Sequence, residues 1–161
     1  MKEIEVIVIY EHASRELDVV CAVTALLRTQ YGVQTEVLHW PTGFYKIMDR
    51  VHPKLVVLPF CYFEETFRPL LAYWRKSIFF NLTWEQLFYA GNEKAKTPRG
   101  EFAIHHVIHH AWSDLYAGFL KKSEVPEEHI FVNGQPAYTL YDEPYRNYYD
   151  SRQVLSDRHA L

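Results

Sequence analysis

The chain has 161 residues, 48% of them hydrophobic and 23% charged, with a formal net charge of −3. That balance predicts one folded domain and excludes a disordered polyelectrolyte; no run of about 20 apolar residues offers a membrane span, and no basic block offers a nucleic-acid footprint. Two cysteines are too few for a disulfide framework, and the first residues lead into a strand-like run rather than a basic head and apolar leader, so a soluble, cytoplasmic protein is expected. Aromatic residues make up 16% of the chain, including 12 tyrosines, which predicts ring-stacking surface beyond what the core consumes.

In chain order, residues 3–10 (EIEVIVIY) read as a strand buried on both faces. Ser14 is placed to cap a helix in which Leu17, Val20, Cys21, Thr24 and Leu27 recur at helical spacing, and Gly32 stands where that helix should stop. Residues 33–39 read as a second strand, broken by Pro41 and Gly43, with a short helix over 44–51. Residues 54–60 (KLVVLPF) form a third strand, 64–76 a helix and 77–82 a fourth strand. The polar, breaker-rich residues 91–100 read as an exposed loop, 101–122 as one helix, 129–133 as a fifth strand, and Gly134-Gln135-Pro136 as a turn. Strands alternating with helices imply parallel crossovers, hence a three-layer α/β/α sandwich of doubly wound type. The domain is set at residues 1–137, followed by a Tyr-rich, partly helical tail or arm over 138–161.

Ligands of open parallel sheets bind outside the carboxyl ends of the strands. There the sequence places Glu11, His12, Arg15 and Glu16 after the first strand and Tyr62 after the third. Asn81, Trp84, Glu85 and Gln86 follow the fourth, and Gly134 and Gln135 the fifth. Carboxylates, amides and flat rings converging on one edge suit a sugar or nucleotide. Taken singly, Glu11 and Ser14 also read as helix caps, and Arg15 and Glu16 as solvated charges. The first loop lacks the glycines that let a pyrophosphate approach the backbone, and there is no P-loop, so no cofactor is expected. On a helix, His105/His109 and His106/His110 would be i,i+4 pairs able to chelate zinc, but no third ligand in H-E-x-x-H order accompanies them; no metal site is assigned. Cys61 has no local Cys-His signature and reads as an inert, buried thiol.

Several segments carry a family resemblance when taken together. They are Tyr10-Glu11-His12-x-x-Arg15-Glu16, the strand Leu55-Val56-Val57-Leu58-Pro59-Phe60, Asn81-Leu82-Thr83-Trp84-Glu85-Gln86, and the stretch from Val125-Pro126-Glu127-Glu128 to Asn133-Gly134-Gln135-Pro136. The chain resembles the N-terminal half of bacterial surface-carbohydrate (surface-polysaccharide) biosynthesis proteins, relatives of the CDP-glycerol glycerophosphotransferases and other GT-B glycosyltransferases. The resemblance implies a Rossmann-like, acceptor-side domain facing a second, donor-binding domain, with residues 156–161 beginning the hinge. Its partners would be a sugar or polysaccharide acceptor, a nucleotide-activated donor held by the other domain, and the inner membrane face as a peripheral contact. Within that frame Glu11, His12 or Glu85 is the base that deprotonates an acceptor hydroxyl. Arg15 pairs a phosphate or carboxylate, Trp84 stacks on a sugar, and Glu16, Tyr62, Asn81, Gln86, Gly134 and Gln135 line the acceptor pocket. A stand-alone binding or scaffold domain of the same fold, and a His-cluster metal protein, are the alternatives.

Overall fold

The computed structural model describes residues 4–86, 91–143 and 145–146. Within them lies a six-stranded, all-parallel sheet ordered β2-β1-β3-β4-β5-β6. The strands are β1 (Val6–Tyr10), β2 (Thr35–His39), β3 (Leu55–Leu58), β4 (Ile78–Asn81), β5 (Val107–Ala111) and β6 (Ile130–Val132). Register runs Val6↔Thr35 and Val6↔Leu55 about β1, then Leu55↔Ile78, Phe79↔Val107 and His109↔Ile130 outward. The helices are α1 (Ala13–Tyr31), α2 (Glu64–Tyr73), α3 (Glu93–Lys96), α4 (Glu101–His105) and α5 (Asp114–Lys122).

Strand alternation sorts the core into two faces. Val6, Val8 and Val57 join Val19 and Val20 of α1 on one face. Ile7, Ile9, Val56, Leu58, Phe79 and Val107 join Phe67, Leu70 and Trp74 around α2, with Phe102 and Ala103 of α4, on the other. Ala111 and Ile130 meet Tyr116, Ala117 and Leu120 of α5 on that second face. The doubly wound, Rossmann-like α/β architecture is the one the alternation of elements predicts.

Three boundaries differ from expectation. His12, not Ser14, is the N-cap of α1; no side chain caps it, and Ser14 lies in the first turn. Gly32 does end α1, in the left-handed region at φ 66° with its N–H on Leu27 O, a conformation that favours glycine. The short helix over 44–51 is a single 3-10 turn at Phe44–Lys46. Residues 101–122 form no single helix: α4 stops at His105, β5 follows, and Ser113 caps α5 by accepting from the Tyr116 N–H. The sheet therefore has six strands rather than five. A 3-10 turn at Pro136–Tyr141 packs Ala137 and Leu140 against the α1 face. The expected tail beyond Arg146 and the hinge at 156–161 lie outside the described residues. No described helix is long and apolar enough to cross a membrane.

Candidate functional site

The sheet order reverses between β1 and β3: the chain leaves β1 into α1 on one face and leaves β3 into α2 on the other. The two loops diverge and open a crevice at the carboxyl edge, the switch point where open α/β sheets bind ligands. Glu11 and His12 stand on one lip, Pro59 to Phe63 on the other, and the turn after β4 brings Trp84 and Glu85 across. Together they enclose a cleft of ≈ 290 Å³ with Arg15 and Lys96. A larger cavity of ≈ 870 Å³ adjoins it, sharing Arg15, Trp84, Glu85 and Lys96 as a common wall and adding Asn92, Trp112, Gly134, Gln135 and Tyr138.

The wall is an ion network. Arg15 Nη2 meets Glu16, with Nε 2.9 Å from the same carboxylate, and Nη1 meets Glu85. Glu11 lies 3.6 Å from Arg15 and 3.4 Å from His12 Nε2. Lys96 pairs with the other oxygen of Glu85 and holds its Nζ 5.4 Å over the Tyr62 ring. That Lys96 hydrogen bond, aided by Arg15 and opposed by desolvation, keeps the Glu85 carboxyl below the usual carboxylate range. Burial pushes the Tyr62 phenol well above its ordinary value, so it remains protonated and donates to the Glu85 carbonyl at 3.4 Å.

Three of the expected lining residues stand behind the wall instead. Glu16 is fully buried; its carboxylate accepts the Glu11 N–H at 2.6 Å and anchors Arg15, so it shapes the lip rather than touching the opening. Asn81 is also fully buried: its amide NH₂ donates to His109 Nδ1 at 3.1 Å and its oxygen accepts the Thr83 N–H. Gln86 donates to the carbonyls of Thr83 and His110 and accepts the Trp112 N–H at 2.7 Å. These bonds hold the turn after β4 so rigidly that Thr83, a β-branched residue, sits at φ 48°. Trp84 lines both cavities but is only 5% exposed and belongs to the buried cluster that includes Leu82, Val8 and Val57, so it forms a wall and offers no open face for stacking. The most exposed ring here is Tyr138, at 68%; Phe63 is 37% exposed but has the Arg99 guanidinium over its ring. Arg15, expected to pair a phosphate, is already held by three carboxylates.

The His run is separated by its secondary structure. His109 and His110 fall on opposite faces of β5, and His105 ends α4, so the i,i+4 geometry does not arise. Among the described residues no group of three His, Cys, Asp or Glu is placed to hold a metal. His109 is buried with Nε2 2.6 Å from the Ala103 carbonyl, and burial lowers its pKa to about 4. Cys61 is fully buried, which raises its thiol to about 12, whereas Cys21 is exposed on α1.

Lys96 escaped the sequence reading because residues 91–100 read as a solvated loop. The structure docks that segment against the cleft through α3. Arg99 donates its N–H to the Tyr62 carbonyl at 2.9 Å and covers the Phe63 ring at 4.4 Å, and the Tyr116 hydroxyl donates to the Lys96 carbonyl at 3.4 Å. Gly100 closes it at φ 92°, where a Cβ would lie 2.7 Å from Glu64 Oε2 and 2.8 Å from Glu64 Cβ.

No family model, no curated protein and no solved structure matches this chain. The functional reading therefore rests on the cleft itself.

Proposed function

We propose that the chain is the acceptor-side domain of a GT-B type glycosyl- or glycerophospho-transferase in bacterial surface-polysaccharide assembly, its switch-point cleft holding the hydroxyl-bearing acceptor. One observation carries this reading: both cations of the cleft, Arg15 and Lys96, are paired to carboxylates, with Glu11, Glu16 and Glu85 outnumbering them. Such a wall disfavours a phosphate dianion and suits a neutral polyol, whose hydroxyls bond carboxylates while the exposed Tyr138 ring covers an apolar face. The nucleotide-activated donor then belongs to a second domain, in keeping with a first loop that has no phosphate-binding glycines.

Within this reading His12 is the base that takes the acceptor proton. It is exposed at the lip, and the Glu11 carboxylate 3.4 Å away orients the ring and stabilises the imidazolium that forms. Glu85, tied to two cations, anchors them rather than moving a proton. Transfer from nucleotide-activated donors by the full-length gene product tests the assignment. His12→Gln should lower the rate about 10²–10⁴-fold, the usual contribution of a positioned base. An unchanged rate refutes the role, and transfer by these 161 residues alone refutes the division into two domains.

A second reading, a non-catalytic binding or scaffold domain, is favoured by one observation: Tyr138, which lines the larger cavity, and Tyr141, three residues on, are 68% and 67% exposed. A stable dimer in light scattering that dissociates on Tyr138→Ser/Tyr141→Ser would support it; a monomer would return the assignment to the transferase.

A further inference from the structure

At the opposite, amino-terminal end of the sheet, the segment before β3 and the segment after α2 enclose a cavity of ≈ 490 Å³, within the range of small-molecule sites. Its polar walls carry His52, Lys54, Arg75 and Lys76, with the Tyr73 ring; no carboxylate lines it, although the Lys54 ammonium is paired at 2.7 Å with Glu5, which is not part of the lining. In a chain of net charge −3, this is a concentration of positive charge that composition does not predict.

We propose that this cavity is a second binding site, and that it takes a phosphoryl group. Arg75 and Lys76 are both exposed and, among the described residues, neither makes an ion pair or a side-chain hydrogen bond. Arg15 and Lys96 at the other end make such contacts with every charged nitrogen in reach, so the free pair stands out within the same molecule. Two cations that follow a helix often serve its terminal carbonyls. Here the end of α2 is closed by backbone instead: the Trp74 N–H donates to Leu70 O at 2.7 Å and the Ser77 N–H to Trp74 O at 3.0 Å.

The walls are fixed before any ligand arrives. Trp74 is buried and its indole N–H donates to the Val51 carbonyl at 2.8 Å. The Ser77 hydroxyl donates to the Pro53 carbonyl, and the Ile78 N–H to the Lys54 carbonyl at 2.8 Å. On this fixed frame the Arg75 guanidinium fork, the Lys76 ammonium and the His52 imidazole, with the Lys54 ammonium already shared with Glu5, match the several acceptor oxygens of a phosphoryl group better than they match one carboxylate. That group can arrive on a soluble phosphorylated molecule or on an anionic phospholipid, for which Tyr73 and Ile78, 43% and 57% exposed, supply apolar contact beside the mouth.

The test uses the 161-residue chain with two probes: pyrophosphate, followed by calorimetry and by the Trp74 indole NMR signal, and vesicles of phosphatidylglycerol, followed by flotation. Arg75→Gln/Lys76→Gln is compared with Lys121→Gln/Lys122→Gln, which removes the same charge from α5. Both pairs are on the surface, so folding is preserved. Pyrophosphate binding that shifts the Trp74 signal and weakens about tenfold or more only in the first variant supports the site with a soluble ligand. Flotation lost only in that variant supports it with a lipid headgroup. Binding of neither probe, equal weakening in both variants, or acetate binding as tightly as pyrophosphate overturns the proposal. The cleft at the other end plays no part in these readouts, so the outcome is independent of the acceptor assignment.

Discussion

The two ends of the parallel sheet use charge in opposite ways. At the carboxyl edge, Arg15 and Lys96 are consumed by Glu11, Glu16 and Glu85, and the ions brace one another into a wall. At the amino edge Arg75 and Lys76 stand free above a frame built from backbone and neutral side-chain hydrogen bonds, with one ion pair, Lys54 to Glu5, beside them. A cation that braces is missed by the fold when removed; a cation that waits for a ligand is missed only by the ligand.

Four experiments test that contrast. The largest effect falls on the frame of the amino edge: Trp74→Ala removes one of the largest fully buried side chains and its bond to Val51, and should cost about 3–5 kcal/mol in denaturant unfolding. Trp74→Phe should recover most of it. Next comes acid. His109, under the carboxyl edge, titrates near 4 folded and near 6.5 unfolded, so the unfolded chain takes up the proton first. Its contribution is complete above pH 6.5 and is lost as pH falls toward and through 4, by about 3 kcal/mol at the limit; urea midpoints across this window should flatten in His109→Gln. Third, Arg15→Gln leaves the buried Glu16 carboxylate without its cation and should destabilise by about 1–3 kcal/mol in thermal melts. Smallest, Arg75→Gln/Lys76→Gln should change stability by no more than about 0.5 kcal/mol, as for exposed positions without partners. Equal losses for the third and fourth would erase the distinction.

How much of this was legible depended on whether a residue's partners were near in sequence or far. β1 and β3 announce themselves because Val, Ile and Leu runs buried on both faces need no partner to be recognised, and β2 and β4 because short, partly apolar stretches stand between helix and turn signals. β5 does not: Val107–Ala111 carries two histidines at its centre, and polar residues flanked by helix formers read as helix. Asn81, the Ala103 carbonyl and burial under α4 make His109 a core residue, and none of these is visible locally. The cleft was legible to the extent that strand ends predict it, which brought in Glu11, His12, Arg15, Tyr62, Glu85, Gly134 and Gln135. Strand ends do not tell a lining side chain from the prop behind it, so Glu16, Asn81 and Gln86 were assigned to the opening they support. Lys96 had no signal at all, because a lysine among breakers acquires a role only when α3 and Gly100 fold the segment back.

The two cysteines, unequal in exposure, make the molecule its own reporter. At neutral pH an alkylating dye reaches Cys21 on α1 and spares Cys61, whose thiol is sealed beneath the switch point and titrates near 12. One fluorophore can thus be placed without mutagenesis, and slow modification of the second thiol then times the opening of the crevice, with any bound ligand registering as a longer wait.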